Sequence, residues 1–214
     1  MPSSEVGAVA GTVHRGLAVP PVVTGPRRLV LLARPGAGKS TQAERLAARL
    51  GVVHLATGDV LRREVASATP LGRAVAEALE HGELAPDELV MSAIVPDLEE
   101  ALTRGGGFVL DGFPRDLPQA RALAGLSARG LEPQLALEID VSVAECRRRL
   151  LARAPLEGRS DDNAETIDHR LASYEAEMAP VIDFYRDEGI LRVVDGERAP
   201  DEVAKLLFGE LGLD

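Results

Sequence analysis

The chain has 214 residues, with 24 Lys and Arg against 34 Asp and Glu for a formal charge of −10, and its 45% hydrophobic and 27% charged content excludes disordered, collagen-like and coiled-coil chains. That length suits one domain with a proper core and room for a small insertion, and the acidic balance excludes the exposed basic face of a nucleic-acid binder while leaving room for a cationic pocket inside an acidic shell. Cys146 is the single cysteine, which excludes disulfide frameworks and cysteine-rich zinc sites, and no apolar run approaches the roughly 18 residues of a membrane span, so the expectation is a soluble, cytoplasmic protein.

Residues 1 to 27 carry Gly7, Gly11, Gly16, Gly25, Pro20, Pro21 and Pro26, few charges and no sustained period. They lack the pattern of a signal or transit peptide and read as a flexible tail. Leu29-Val30-Leu31-Leu32 then makes the short apolar run of a fully buried strand. Ala33-Arg34-Pro35-Gly36-Ala37-Gly38-Lys39-Ser40-Thr41 follows it directly. Ala43, Leu46, Ala47 and Leu50 come next at helical spacing, with Gly51 as the stop. A strand, a Gly-rich turn carrying Lys and a hydroxyl residue, and a helix form the context of a phosphate-binding loop. Gly36 and Gly38 let backbone N–H groups turn toward phosphate oxygens at a helix N-terminus, Lys39 can reach the terminal phosphates, and Ser40 or Thr41 can serve Mg²⁺. The loop departs from the usual pattern in having Ala33 where glycine stands, which a negative φ and space for one methyl would allow.

Further strands are expected at Val52–Leu55, Phe108–Leu110, Leu135–Ile139 and Leu191–Val194. Between them Pro86 suits a first helical position, Ser142 with Glu145 has capping-box spacing, and so does Asp162 with Glu165. Pro96 and Pro180 are expected to kink or end their helices. Alternating strands and helices predict an α/β fold: a five-stranded parallel sheet flanked by helices, with ligands at the carboxyl ends of its strands.

Several polar clusters lie at those ends: His54-Leu55-Ala56-Thr57-Gly58-Asp59 with Arg62; Asp111-Gly112-Phe113-Pro114-Arg115 with Gln119; Arg149 and Arg153 one helical turn apart; and Arg159-Ser160-Asp161-Asp162 with Arg170. Spread over the chain in this order, they resemble the adenylate kinases among the nucleoside monophosphate kinases, from about Arg28 to the C-terminus. The resemblance implies a P-loop domain over 28–214, a helical monophosphate-binding insertion at about 56–86, and a short lid at about 153–159 in place of the larger lid that can carry zinc. It implies MgATP + AMP ⇌ 2 ADP by a monomer with no zinc, no nucleic-acid partner and no membrane. Gly36, Ala37, Gly38, Lys39, Ser40, Thr41, Arg149, Arg153 and Arg198 would hold ATP. Thr57, Arg62, Gly112, Arg115, Gln119, Arg159 and Arg170 would hold AMP and the phosphates in transit. Ser40, Thr41 and Asp111 would serve Mg²⁺, partly through water, and Asp161 with Asp162 would hold the lid arginines. The family also implies a cis bond before Pro114, and its Gly and Ser stand where this chain has Ser40 and Ala56.

The chemistry agrees with those roles. Phosphoryl transfer asks a protein to position groups and neutralise charge, and arginine does both with a planar, permanently ionised fork. An acceptor that is already a phosphate anion needs no general base, and His54 is expected only to pack at a strand end. Gln119 could instead complete a capping box with Asp116. Arg63, Arg121, Arg147, Arg148 and Arg186 read as surface residues, and Cys146 as a small residue on a helix. A UMP/CMP kinase of the same fold is the alternative; Thr57 argues against it, because pyrimidine-specific relatives tend to have Ala there. A P-loop ATP hydrolase or nucleotide switch is the alternative from another class. It would have no use for the second phosphate cradle that Arg62 and Arg115 make.

Overall fold

The computed structural model describes residues 25, 27–80, 86–157 and 163–213. Their five strands are β1 (Arg28–Ala33), β2 (Val53–Ala56), β3 (Phe108–Asp111), β4 (Leu135–Asp140) and β5 (Leu191–Asp195), all parallel in the order β2-β3-β1-β4-β5. The helices are α1 (Lys39–Leu50), α2 (Thr57–Ala66), α3 (Pro70–Glu80), α4 (Asp87–Gly105), α5 (Leu117–Ala124), α6 (Val143–Glu157), α7 (Ala164–Asp187) and α8 (Pro200–Glu210).

Successive side chains of a strand point to opposite faces, so each central strand supplies two cores at once. Leu29, Leu31, Leu137 and Ile139 pack under α1, α6 and α8, where Ala43, Leu46, Ala47 and Leu50 make the buried stripe of α1. Val30, Leu32, Phe108, Leu110 and Ala136 pack on the other face against α4 and α5. Helix α7 serves both layers: Ile167 and Leu171 join the first core, and Met178, Val181 and Tyr185 the second. Burying each such side chain contributes about 1.5–3 kcal/mol.

Several local expectations shift. Pro86 caps α4 from outside instead of opening it, since its ψ of 137° is not helical. Pro96 and Pro180 lie inside α4 and α7, and neither ends its helix. The cap of α7 is Asn163, whose side chain accepts from the Thr166 N–H, so the Asp162–Glu165 spacing marks the wrong pair by one residue. Only half of the Ser142–Glu145 box forms: the Glu145 N–H reaches Ser142 Oγ at 3.3 Å, while the Glu145 carboxylate turns to arginines. Arg63 is no idle surface residue, because it pairs with Asp97 at 2.5 Å and joins α2 to α4. Arg147 likewise joins α6 to α7 through Asp168 at 2.6 Å. Arg27, the last residue of the expected tail, is tied to the domain by its side chain, which donates to the carbonyls of Gly51, Gly105 and Gly106. Residues 1–24, the rest of that tail, lie outside the described residues.

Helices α2 and α3 form a hairpin within the expected insertion, and they touch at Gly72. A Cβ there would lie 2.0 Å from the Glu64 carbonyl oxygen. Gly72→Ala is therefore expected to push the two helices apart at a cost of about 1–3 kcal/mol, read as a lower urea midpoint. An unchanged midpoint would mean that the hairpin opens freely.

Candidate active site

The carboxyl ends of the strands make one rim. After β1 the chain turns through Gly36 and Gly38, both at φ +86°, a conformation that side chains other than glycine rarely take. Gly36 also needs its missing side chain for space, because a Cβ would lie 2.8 Å from both the Cys146 carbonyl oxygen and Leu150 Cγ. Gly38 is the N-cap of α1, so the first free N–H groups of that helix face the loop's hollow. Ala33 fits as the last residue of β1: it is buried and is not among the described residues with positive φ. Ser40 and Thr41 occupy the first turn of α1.

Lys39 reaches across to Asp111 Oδ1 at the end of β3, and the pair is held where β1, β2 and β3 run side by side. Asp111 is buried, and its Oδ2 has no hydrogen-bond partner among the described residues. Burial first, and the charge of Arg115 second, lower the Lys39 ammonium to about 8. Arg115 is itself lowered, by burial first; Glu177 raises it and Arg170 lowers it further. The charge of Arg115 thus acts on Lys39 and that of Arg170 on Arg115, although the three come from α1, the β3–α5 turn and α7.

Gln119 does more than either expectation for it. Asp116 caps α5 by accepting from the Gln119 N–H at 2.8 Å, while Gln119 Oε1 accepts from the Arg115 N–H at 2.8 Å and its Nε2 donates to Asp87 at 2.6 Å. The side chain thus holds the Arg115 backbone in place. Gly112 takes φ +84°, Arg115 Nε donates to its carbonyl at 3.1 Å, and the Phe113–Pro114 bond is cis. Thr57 opens α2 and is buried with an unpartnered Oγ1. Arg62 is 69% exposed and pairs with Asp59; it is not among the charges that act on Arg115.

His54 corrects the expectation of a strand-end packer. It sits inside β2, and its Nε2 lies 3.6 Å from Asp111 Oδ2. Burial lowers the pKa of the imidazole, which is neutral at pH 7. Sequence reasoning missed this neighbour because β2 and β3 pair in space while about fifty residues of chain separate them; the register that sets Ala56 opposite Asp111 carries the signal.

A second part of the rim is a cavity of about 440 Å³ lined by Gly36, Gly38, Thr41, Gln42, Arg149 and Arg198 among others. Arg149 Nε donates to Glu145 at 2.7 Å and its Nη2 to the Gly196 carbonyl at 3.1 Å, so α6 is latched to the β5–α8 loop. Arg148 lies at the same cavity's edge and also binds Glu145, while its side chain stays 69% exposed, as expected of a solvated residue. The two guanidiniums, Arg148 first, hold the Glu145 carboxyl down to about 2. Arg198 is fixed on Asp195 at 2.9 Å. Arg153 lies one turn beyond Arg149 on α6. Arg159, Asp161 and Asp162 lie outside the described residues, and residues 153–157 of the expected lid are the last residues of α6. Among the described residues no group of three metal-ligating side chains is found, and no helix is long and apolar enough to cross a membrane.

A parallel sheet whose first strand feeds a glycine-turned, lysine-bearing loop into a helix, with an arginine cradle facing it, defines a P-loop nucleotide-binding α/β protein. Residues 31–190 match the family model described as adenylate kinase. The chain is 44% identical over 186 residues to an adenylate kinase of Thermus thermophilus, covering 86% of this chain and 97% of the relative. It is 42% identical to one of Xanthomonas campestris, covering 86% and 99%, and 39% identical to one of Phocaeicola vulgatus, covering 82% and 93%. The chain belongs to the adenylate kinase family.

Lys39 gives this site a pH signature. Its ordinary pKa of 10.5 falls to about 8, so above pH 8 the free protein loses the ammonium that meets phosphate. kcat/KM for MgATP is expected to fall as pH rises through about 8, while kcat holds to higher pH because bound phosphate restores the charge. Between pH 8 and 10.5 the unfolded chain binds the extra proton, so this lysine's contribution to stability rises with pH. A kcat/KM that stays level to pH 9.5 would remove Lys39 from the donor site.

Proposed function

We propose how this chain, an ATP:AMP phosphotransferase by family, divides the reaction MgATP + AMP ⇌ 2 ADP among its residues. The observation that carries the reading is the glycine-turned loop that sets Lys39 on the buried Asp111 carboxylate, with Arg115 held by Gln119 just beyond the same strand end. Cations held together in a partly buried rim cost free energy, and bound phosphates turn that cost into attraction.

In this reading the backbone of Gly36, Ala37 and Gly38 cradles the ATP phosphates, and Lys39 moves from Asp111 onto the β- and γ-phosphates. Arg149, Arg153 and Arg198 clamp the rest of ATP in the cavity between the loop and Gly196. Arg115 holds the AMP phosphate in line with the γ-phosphoryl group, its backbone fixed by Gln119. Thr57, Arg62, Gly112 and Gln119 complete the acceptor site, and Arg159 with Arg170 neutralises the phosphates in transit. Arg62 must leave Asp59 to reach an acceptor, so we place it there only once AMP binds. The reacting oxygen of AMP is already ionised, so His54 has no proton to take; its neutral ring lies beside Asp111.

A magnesium ion fits this site: Asp111 offers a buried carboxylate oxygen with no hydrogen-bond partner among the described residues, and Ser40 and Thr41 stand in the first turn of α1. Bound with ATP, the ion would supply positive charge against that of the phosphates. Asp111 would hold it through water once Lys39 has moved to phosphate. We further propose a monomer acting in the cytoplasm, since donor and acceptor sites both lie on one chain's rim.

Incubating the protein with MgATP and AMP, CMP, UMP or GMP in turn tests the acceptor. ADP should form with AMP and far more slowly with the others. A preference for CMP or UMP would make it a pyrimidine kinase, and phosphate release without acceptor a hydrolase. Arg115→Ala should cut transfer by about a hundredfold or more, the usual cost of losing a charge-stabilising donor. ATP binding at pH 8 should hold or improve in the same variant, because Lys39 loses a repelling neighbour. Full turnover in Arg115→Ala would remove that residue from the site.

A further inference from the structure

Arg34 is the one charged side chain of the phosphate loop besides Lys39, and it turns away from the phosphate hollow. Its Nη1 donates to Asp140 Oδ1 at 2.9 Å and to the Val141 carbonyl at 3.0 Å, both at the end of β4. Its Nη2 donates to Glu175 Oε1 on α7 at 3.0 Å. One planar guanidinium therefore ties the loop, the neighbouring strand and a helix that approaches from the far end of the chain. Arg34 is 19% exposed and Glu175 58%, so the pair adds little to stability. What it adds is a fixed angle.

Arg170 and Glu177 are seven residues apart on α7, about 20° short of two full turns, so they share one face. Both act on the charge of Arg115, which places that face toward the β3–α5 turn. Glu175 leaves the axis about 160° from Glu177 and about 140° from Arg170, toward Arg34. It also lies between Leu171, in one core layer, and Met178, in the other, where α7 crosses the end of the sheet. Packing is anchored on both sides of that crossing, and a polar tie at the crossing itself sets how far the helix is rolled.

We propose that Arg34 is a positioning residue: by holding Glu175 it fixes the roll of α7 and so presents Arg170 to the phosphates bound at the loop. The tie joins the loop that carries the donor to the helix that carries a transfer arginine, and misplacing such a group by an ångström costs up to about a hundredfold in rate. This inference rests on the assignment of Arg170 to the phosphates in transit.

The test compares Arg34→Ala, Glu175→Gln, the double variant, and Arg170→Ala with and without Glu175→Gln. Each is read as kcat, KM for ATP and AMP, and thermal midpoint. Arg34→Ala and Glu175→Gln should each lower kcat about tenfold with both KM values within about twofold. The double variant should be no slower than the slower single one, and Glu175→Gln should do nothing further once Arg170 is gone. Glu175→Gln, at an exposed position, keeps the test valid if Arg34→Ala folds poorly. An unchanged kcat in folded Glu175→Gln, additive losses, or a rise in KM alone would overturn the inference. Arg170→Ala at full rate would overturn the assignment of Arg170, and this inference with it; a collapse there alone would leave that assignment standing and this inference refuted.

Discussion

Lys39 and Arg115 repel each other, and Arg115 and Arg170 do the same, in a rim that burial has already made costly for charge. Much of the remaining architecture can be read as what keeps them there. The parallel sheet provides a stiff base, because β1 and β3 are buried on both faces and pack hydrophobic layers above and below. Three separate elements then each deliver one cation to the carboxyl ends. Two of these deliveries are braced by neutral or acidic groups: Asp111 for Lys39, and for Arg115 the Gln119 amide at its backbone with Glu177 acting from the α7 side. A flexible surface would let these cations drift apart, and the repulsion that makes the site receptive to phosphates would disperse.

The acidic overall composition belongs to the same arrangement. Lys39 and Arg149 lie along the rim at the carboxyl ends of the strands, within a chain whose net charge is −10. A net negative charge repels long polyanions, while a local cluster of cations still attracts small anions. Paired carboxylates also hold arginines outside the transfer site. Glu145 gathers Arg148 and Arg149, and Asp195 gathers Arg198, so the guanidiniums along the donor cavity are positioned before any ligand arrives.

Periodicity and loop chemistry were legible in the sequence wherever a signal is local. The apolar run at Leu29–Leu32 is β1, the stripe through Ala43, Leu46, Ala47 and Leu50 is buried, and Gly51 ends α1 in the left-handed region. Capping was less legible: Asn163 and Asp162 are both competent caps one residue apart, and only the backbone turn selects between them. Pro96 and Pro180, expected to kink or end their helices, end neither, because packing can carry a helix through a missing hydrogen bond. Contacts between distant segments were not legible. His54 beside Asp111 depends on strand register, Gln119 on Asp87 depends on how α4 approaches α5, and Arg34 on Glu175 spans 141 residues.

That last distance bears on how a phosphate loop is built. Backbone N–H groups and one lysine suffice to bind phosphate, and a short motif encodes them. Transfer asks for more, because the acceptor and the neutralising arginines must stand in line with the donor, and they belong to segments the motif does not include. Some contact has to carry the loop's position to those segments. In this fold the sheet does so for Arg115, through the β1–β3 register that sets Leu31 beside Asp111. Helix α7 has no strand register to align it; its apolar residues are divided between two core layers, and Glu175 stands between them. A directional bond from the loop to the helix supplies the missing alignment, and arginine suits it because its fork can face a strand end and a helix at the same time.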